Sequence, residues 1–477
     1  MEHRALSRLA VPAAALLALT TACTAGTVQG RPGASGLRDP YFPKAGNGGY
    51  QVEHYGLDLD YDPADGELNA TAVITARAEQ GLSSFNLDLS GLNVESVTVQ
   101  GKGARYNRTG RELTVRPAED LKKGAVFRTE IEYRGKPKPI TDADGSKEGW
   151  ITTGGGAVGV GEPIGSMAWF PGNHHPSDKA TYDITLTVPK GYEAVSNGEL
   201  GSRTDTAGVP SRTESGGGQT EFVWHSPEPM ASYLATAAIG KFKVTTGRTP
   251  SGVALYEAVA PGEAAASAPA LARLPEIVEW GTGRFGPYPF GTAGAIVLPA
   301  DTLTYALETQ TKPVFSGAPD EKLVLHETAH QWFGDSVSPK SWKDMWLNEG
   351  FATYAEWLWS EDHGGTTAQQ YFDAFLAGDT AVDKDAASDW DAFPPASPPG
   401  PKDISEAPVY YRGAMVLQRI RQEVGDEKFF ALLRGWAADH RHGNASTADF
   451  TAYAERKTGH DLKKVWDVWL YGKDRPK

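Results

Sequence analysis

The stretch "LVLHETAHQWFGDSV" (Leu323–Val337) carries two histidines four residues apart, His326 and His330, with Glu327 directly after the first. On a helix, residues four apart lie on one face, so both imidazoles could hold one metal ion. Glu327 is turned one position away. Its carboxylate would lie beside the metal, where it could serve as general base for a zinc-bound water. The five-residue pattern is weak by itself, because a helix can carry two histidines with no metal chemistry. A hydrolytic zinc site also needs a third protein ligand and an open position. "WLNEGFATYAEW" supplies that ligand as Glu349, on a second helical pattern 19 residues after His330. Glu356, seven residues further along the same face, could accept a hydrogen bond from the far ring nitrogen of a ligand histidine; a surface position is the alternative.

The elements that must position these residues fall into two parts. From about Tyr50 to Val244, segments such as "YGLDLDYD", "LNATAVITARAE" and "ATYDITLTVP" alternate with period two between turn residues, the pattern of an antiparallel, sandwich-like β domain. A hairpin loop is expected over Thr204–Gln219. After Thr246 the spacing turns helical, with helices expected at Asp320–Gly334, Asn348–Ser360, Thr367–Leu376, Gly413–Val424, Asp426–Asp439 and Thr447–Thr458. Pro-rich Asp391–Pro408 reads as a loop. Trp332, Trp342, Trp346, Trp357 and Trp359 surround the motif and are expected to pack around its helices. His174 and His175 are adjacent, cannot share one face, and read as loop residues outside the metal set.

The 477 residues suffice for two or three domains. A formal net charge of −14 argues against nucleic acid or an anionic membrane surface as partner. The N-terminus has Arg4 and Arg8 ahead of an apolar run, Leu9–Ala22, that is short for a membrane span. The sole cysteine, Cys23, stands where a bacterial lipoprotein signal places its lipid-modified residue. The expected division is a signal peptide (1–22), a lipid-anchored flexible tether (23–45), an N-terminal β domain (46–246) and a catalytic domain (247–477). Export follows on either reading, as a surface lipoprotein or a secreted protein, with contact to the membrane only through the anchor.

"HETAHQWFGDSV" followed by "WLNEGFATYAEW" resembles the aminopeptidase N family of zinc metallopeptidases, peptidase family M1. The resemblance covers nearly all of the chain beyond the signal. It implies a multidomain β plus α/β fold: an antiparallel β sandwich-like domain, then a thermolysin-like, mainly helical zinc peptidase domain with one zinc per chain. The family's Gly-x-Met-Glu-Asn segment is similar to "TYALETQTKPVF" here, which makes Glu308 a ligand for the substrate's α-amine. Tyr305, Leu307 and Thr309 replace the other three motif residues. "GEPIGSMAWFPGNHHPSDK" places Glu162 as a second amine ligand. "VYYRGAMVL" resembles the family's Tyr-x-Lys-Gly segment and offers Tyr410 as the catalytic tyrosine, with Arg412 for the lysine and Tyr411 as the neighbouring alternative. Larger relatives continue into a helical C-terminal domain, expected to be missing here together with any specificity it confers. The implied activity is removal of N-terminal residues from peptides with a free N-terminus. A thermolysin-like endopeptidase, which needs no amine ligand, and a noncatalytic surface-binding protein on a peptidase scaffold are the competing readings.

Overall fold

The computed structural model describes residues 30–206, 218–384 and 388–475. Cys23, the signal segment and the tip of the 204–219 hairpin loop lie outside the described residues. The first part is built on an eight-stranded sheet in the order Glu199–Thr206, Gln219–Ala231, Lys179–Pro189, Tyr50–Asp62, Glu67–Ala78, Val126–Gly135, Asn93–Val99, Lys102–Gly103. All of its pairs are antiparallel except Tyr50–Asp62 against Lys179–Pro189. Glu67–Ala78 buries every second side chain, so one face packs inward and the other is wetter. Two smaller sheets complete the domain. One of them contains Lys147–Thr153, Gly156–Val160 and Ala237–Gly240. Tyr55, Phe170 and Tyr182 cluster in the core between them, with Tyr55 and Tyr182 stacked at 4.9 Å.

The second part opens with a four-stranded sheet, Lys243–Arg248, Ala254–Val259, Thr292–Leu298 and Val314–Ser316, slightly before the expected boundary. Helices α1 (Ala264–Leu271) and α2 (Leu274–Phe285) interrupt it. Then follow α3 (Glu321–Ala329), α4 (Trp346–Asp362), α5 (Ala368–Ala377), α6 (Gly413–Val424), α7 (Asp426–Asp439) and α8 (Thr447–Thr458). The five tryptophans around the motif are buried, consistent with packing around these helices.

The tether reading fails from Gly30 onward. Arg31–Pro32 pairs with Leu82–Asp88, and Phe42 and Ala45 are buried. Asp39 Oδ2 accepts from the Ser341 hydroxyl at 2.7 Å and the Trp342 N–H at 3.0 Å, on the turn that leads into α4. The segment is small, polar and Gly-rich, yet backbone pairing and the Asp39 carboxylate hold it against both domains. His174 and His175 lie in the loop ahead of strand Lys179–Pro189, as read, and both are buried there. His174 donates from Nε2 to Phe170 O at 3.0 Å and pairs through Nδ1 with the Ser232 hydroxyl, and burial lowers its pKa to about 4. His175 Nε2 lies 3.4 Å from Asp39.

Candidate active site

Asp320 caps α3 by accepting the Leu323 N–H, and the helix delivers His326 and Glu327 in its last turn with His330 at its end. Beside it, α4 carries Glu349 in its first turn. Glu349 Oε2 thereby stands 3.3 Å from His326 Nε2 and 3.3 Å from His330 Nε2. The three atoms are mutually within 4.8 Å. The other ring nitrogens face acceptors. His326 Nδ1 donates to Glu356 Oε1 at 2.6 Å, and His330 Nδ1 to Phe333 O at 3.1 Å. A carbonyl can only accept, so the proton of His330 sits on Nδ1 and the Nε2 lone pair points inward. Three electron donors thus converge on one point. A tetrahedral zinc with bonds of about 2.0–2.1 Å holds its ligand atoms about 3.3–3.4 Å apart, which is the spacing along both carboxylate edges. The chemistry and placement of His326, His330 and Glu349 fit that ion. Positive charge is what the trio demands: burial disfavours a charged ring, yet Glu349 draws His330 up to about 9, so without an ion Nε2 holds a proton that a bound metal would displace to take the lone pair.

Glu327 lies next to this point and does not complete the trio. Burial pushes its carboxyl up to about 7, with His326 and His330 holding it back. Glu308 and Glu162 meet from opposite domains. Glu308 follows an isolated bridge between Leu307 and Val314, is buried, and accepts from Asn348 Nδ2 at 2.8 Å through Oε1. Glu162 comes from the turn after strand Gly156–Val160, and its buried Oε2 has no protein partner. Burial first, then Glu308 and Glu349, raise the Glu162 carboxyl well above the usual range. Both acids line a cavity of about 280 Å³ that also reaches Glu349 and Tyr410. A second cavity of about 530 Å³ holds His326, Glu327 and His330.

Tyr410 sits in a π-helical turn, Pro408–Arg412, ahead of α6. Its ring lies parallel to that of His326 at 6.1 Å. Burial, then the surrounding glutamates, keep its hydroxyl protonated far above neutral pH. Tyr411 instead packs on Phe375 at 5.1 Å. Two glycines let Tyr410 approach Glu349: a Cβ on Gly350 would come 2.9 Å from Gly413 Cα, and one on Gly413 would come 2.9 Å from Gly350 Cα. Arg412 is fully buried and donates to Trp469 O, Val468 O and Gly472 O, which pins the turn to the last segment of the chain. Asn348 is not evident from the sequence reading, whereas Tyr305 is there as a departure from the family motif. Asn348 orients Glu308, and its position directly before Glu349 was the available signal. Tyr305 lines both cavities.

Two family models match the chain: the peptidase M1 N-terminal domain over residues 51–234 and the peptidase family M1 domain over 294–469. Glutamyl aminopeptidase of Bos taurus is 27% identical over 333 residues, 65% of this chain and 33% of that protein. Tricorn protease-interacting factor F2 of Thermoplasma acidophilum is 25% identical over 452 residues, 88% of this chain and 53% of that protein. The chain therefore spans a third to about half the length of these curated relatives. The crystal structure of an M1 zinc metallopeptidase from Deinococcus radiodurans superposes with a TM-score of 0.83 at 28% identity, covering 93% of this chain and 98% of that one. A variant of that protein has been solved bound to a Tyr-Ser-Ala substrate.

Proposed function

The chain belongs to peptidase family M1, and on that premise we propose that it is a zinc aminopeptidase, a hydrolase that removes the N-terminal residue of peptides. The observation that carries this reading is the pair of carboxyl groups, half-buried Glu162 and buried Glu308, in a cavity that also reaches Glu349 of the donor trio. Zinc, held by His326, His330 and Glu349, lowers the pKa of water and polarises the scissile carbonyl when bound.

Glu327 takes the proton of the attacking water and hands it to the departing amide nitrogen. The neutral Tyr410 hydroxyl donates to the oxygen on which negative charge develops. Glu162 and Glu308 hold the α-ammonium group. Because that charge sits at a fixed distance from the trio, only the first peptide bond reaches Glu327 and Tyr410. A blocked terminus would leave the two acids buried without a cation, which disfavours its binding. Glu356 fixes the tautomer of His326. The tripeptide substrate of the Deinococcus radiodurans protein supports short peptides as a substrate class.

The test is one peptide offered free and N-acetylated to the zinc-loaded protein, with products followed by mass spectrometry. Sequential loss of N-terminal residues from the free form only is expected. Internal cuts in both forms would make the protein an endopeptidase. Export is part of the same proposal, with Cys23 as the lipid attachment point. Among the described residues no helix is long and apolar enough to cross a membrane. Metabolic labelling with a fatty acid, lost in Cys23→Ser, checks it.

A further inference from the structure

The cavity that contains Glu162 and Glu308 continues outward to a turn joining strands Pro139–Thr141 and Lys147–Thr153. Asp142, Asp144 and Ser146 of that turn line its outer end. The turn is internally fixed. Asp142 N–H donates to Ser146 O at 3.0 Å, Gly145 N–H to Asp142 O at 3.1 Å, and Ser146 N–H to Asp144 Oδ1 at 2.8 Å. The other walls are mixed: Pro163, Ala306, Leu307 and the ring of Tyr305 supply apolar surface, beside the hydroxyl residues Thr304 and Ser405. Tyr305 is braced against the same turn through its hydroxyl, which donates to Lys147 O at 2.9 Å.

The charges in this cavity do not balance. Five carboxyl groups line it and, among the described residues, no Lys, Arg or His does. On the proposed function Glu349 would be taken by the metal and Glu162 and Glu308 by the α-ammonium group, which leaves Asp142 and Asp144. Burial raises the Asp142 carboxyl, and Asp144 beside it adds to the rise. Glu162 marks the other end of the cavity, which it lines, and its buried Oε2 has no hydrogen-bond partner among the described residues. A residue anchored there by its amine sends its peptide bond toward Glu327 and its side chain along the walls toward the two aspartates.

We propose that this cavity receives the side chain of the substrate's N-terminal residue and that Asp142 and Asp144 select lysine or arginine there. The proposal rests on the aminopeptidase reading. The aliphatic stem of a basic side chain lies against Tyr305 and Leu307, as such stems do on apolar surfaces, and its cationic head meets the acid pair.

The experiment compares amide substrates with N-terminal lysine, arginine, norleucine and glutamate on the full zinc-loaded chain. Norleucine has the lysine stem without the ammonium. A hydrogen-bonded charge pair of this kind corresponds to about 10- to 100-fold in kcat/KM, so lysine and arginine should exceed norleucine by that factor. In the double variant Asp142→Asn, Asp144→Asn the advantage should shrink to about threefold or less, with norleucine unchanged within about twofold. Asp144→Lys, at an exposed position that folding tolerates, should turn the preference toward glutamate. Equal wild-type rates for lysine and norleucine overturn the proposal, as does a double variant that slows both alike. N-terminal cleavage without charge preference removes this proposal alone, whereas internal cleavage removes the aminopeptidase reading with it.

Discussion

Replacing Glu356 with leucine separates a metal-binding role of the trio from mere proximity. In the zinc-bound form His326 must present the Nε2 lone pair, so its proton stays on Nδ1, 2.6 Å from Glu356 Oε1. Leucine leaves that buried N–H without an acceptor, a cost of about 1–3 kcal/mol. The metal-free form escapes the cost, because the ring can move its proton to Nε2 and donate to Glu349 Oε2 at 3.3 Å. The penalty therefore falls on the bound state, and zinc affinity should weaken by about 10- to 100-fold, the range typical of partners that orient ligand histidines. Lys322, which also contacts Glu356, keeps Asp383 at 2.7 Å. Glu356→Gln retains an accepting oxygen and should lose about fivefold or less by the same comparison. Competition for zinc against a chromophoric chelator at pH 7 reads the dissociation constants directly. A leucine variant that binds zinc like wild type refutes the reasoning, and so does equal weakening by leucine and glutamine.

Four further outcomes follow from the site and its support. Glu327→Gln should lower kcat by about 100- to 10,000-fold, and Tyr410→Phe by about 100- to 1000-fold, both with zinc content unchanged by metal analysis; loss of zinc in either would move that residue into the ligand set. Gly350→Ala drives a methyl into Gly413, 2.9 Å away, so overpacking should cost about 1–3 kcal/mol in urea unfolding and kcat should fall as Tyr410 is displaced; an unchanged midpoint contradicts this. Burial holds the Lys312 ammonium at about 7 against its ordinary 10.5. Between these values the unfolded chain binds a proton that the folded chain does not, so this contribution to stability is complete above 10.5 and lost as pH falls toward 7. Lys312→Met should flatten the rise in urea midpoint from pH 7 to 10, and an unaltered slope would falsify the assignment.

What could be read from the sequence divides along the range of the interactions. The His326–His330 spacing is a property of one helical turn, and Glu349 and Glu356 share one face of the next helix, so local periodicity brings all four within reach of each other. Strands with one wet face, such as Glu67–Ala78, announce themselves by alternation. Thr292–Leu298 is buried at every position and shows none, which is why the sheet that opens the second domain was not read. The 30–45 segment was missed for the opposite reason. Its contacts run through Asp39 to Ser341, 302 residues away, and no window on the sequence contains both partners. Asp142 and Asp144 belong to the same class, since only the fold carries their turn to Glu162 and Glu308.

This division has a mechanical consequence. Every proposed metal donor lies on α3, at its end, or on α4, but the proposed amine site takes Glu308 from the second domain and Glu162 from the first, so it exists only while the seam between domains is closed. Lys179, on a strand of the first domain, fastens that seam by donating to Asp335 O at 2.7 Å, Ser336 O at 3.1 Å and Gly443 O at 3.3 Å. In Lys179→Met these carbonyls lose their shared donor; Asp335 O keeps the Ser338 hydroxyl at 3.0 Å, whereas the buried Ser336 carbonyl left unsatisfied costs about 1–3 kcal/mol. The seam should loosen and Glu162 should withdraw from Glu308. KM for a free peptide should then rise, and discrimination against the acetylated form should fall, while zinc affinity stays as in wild type because no metal donor crosses the seam. If zinc affinity falls in step with KM, the metal and amine sites share one support and the division between them is wrong.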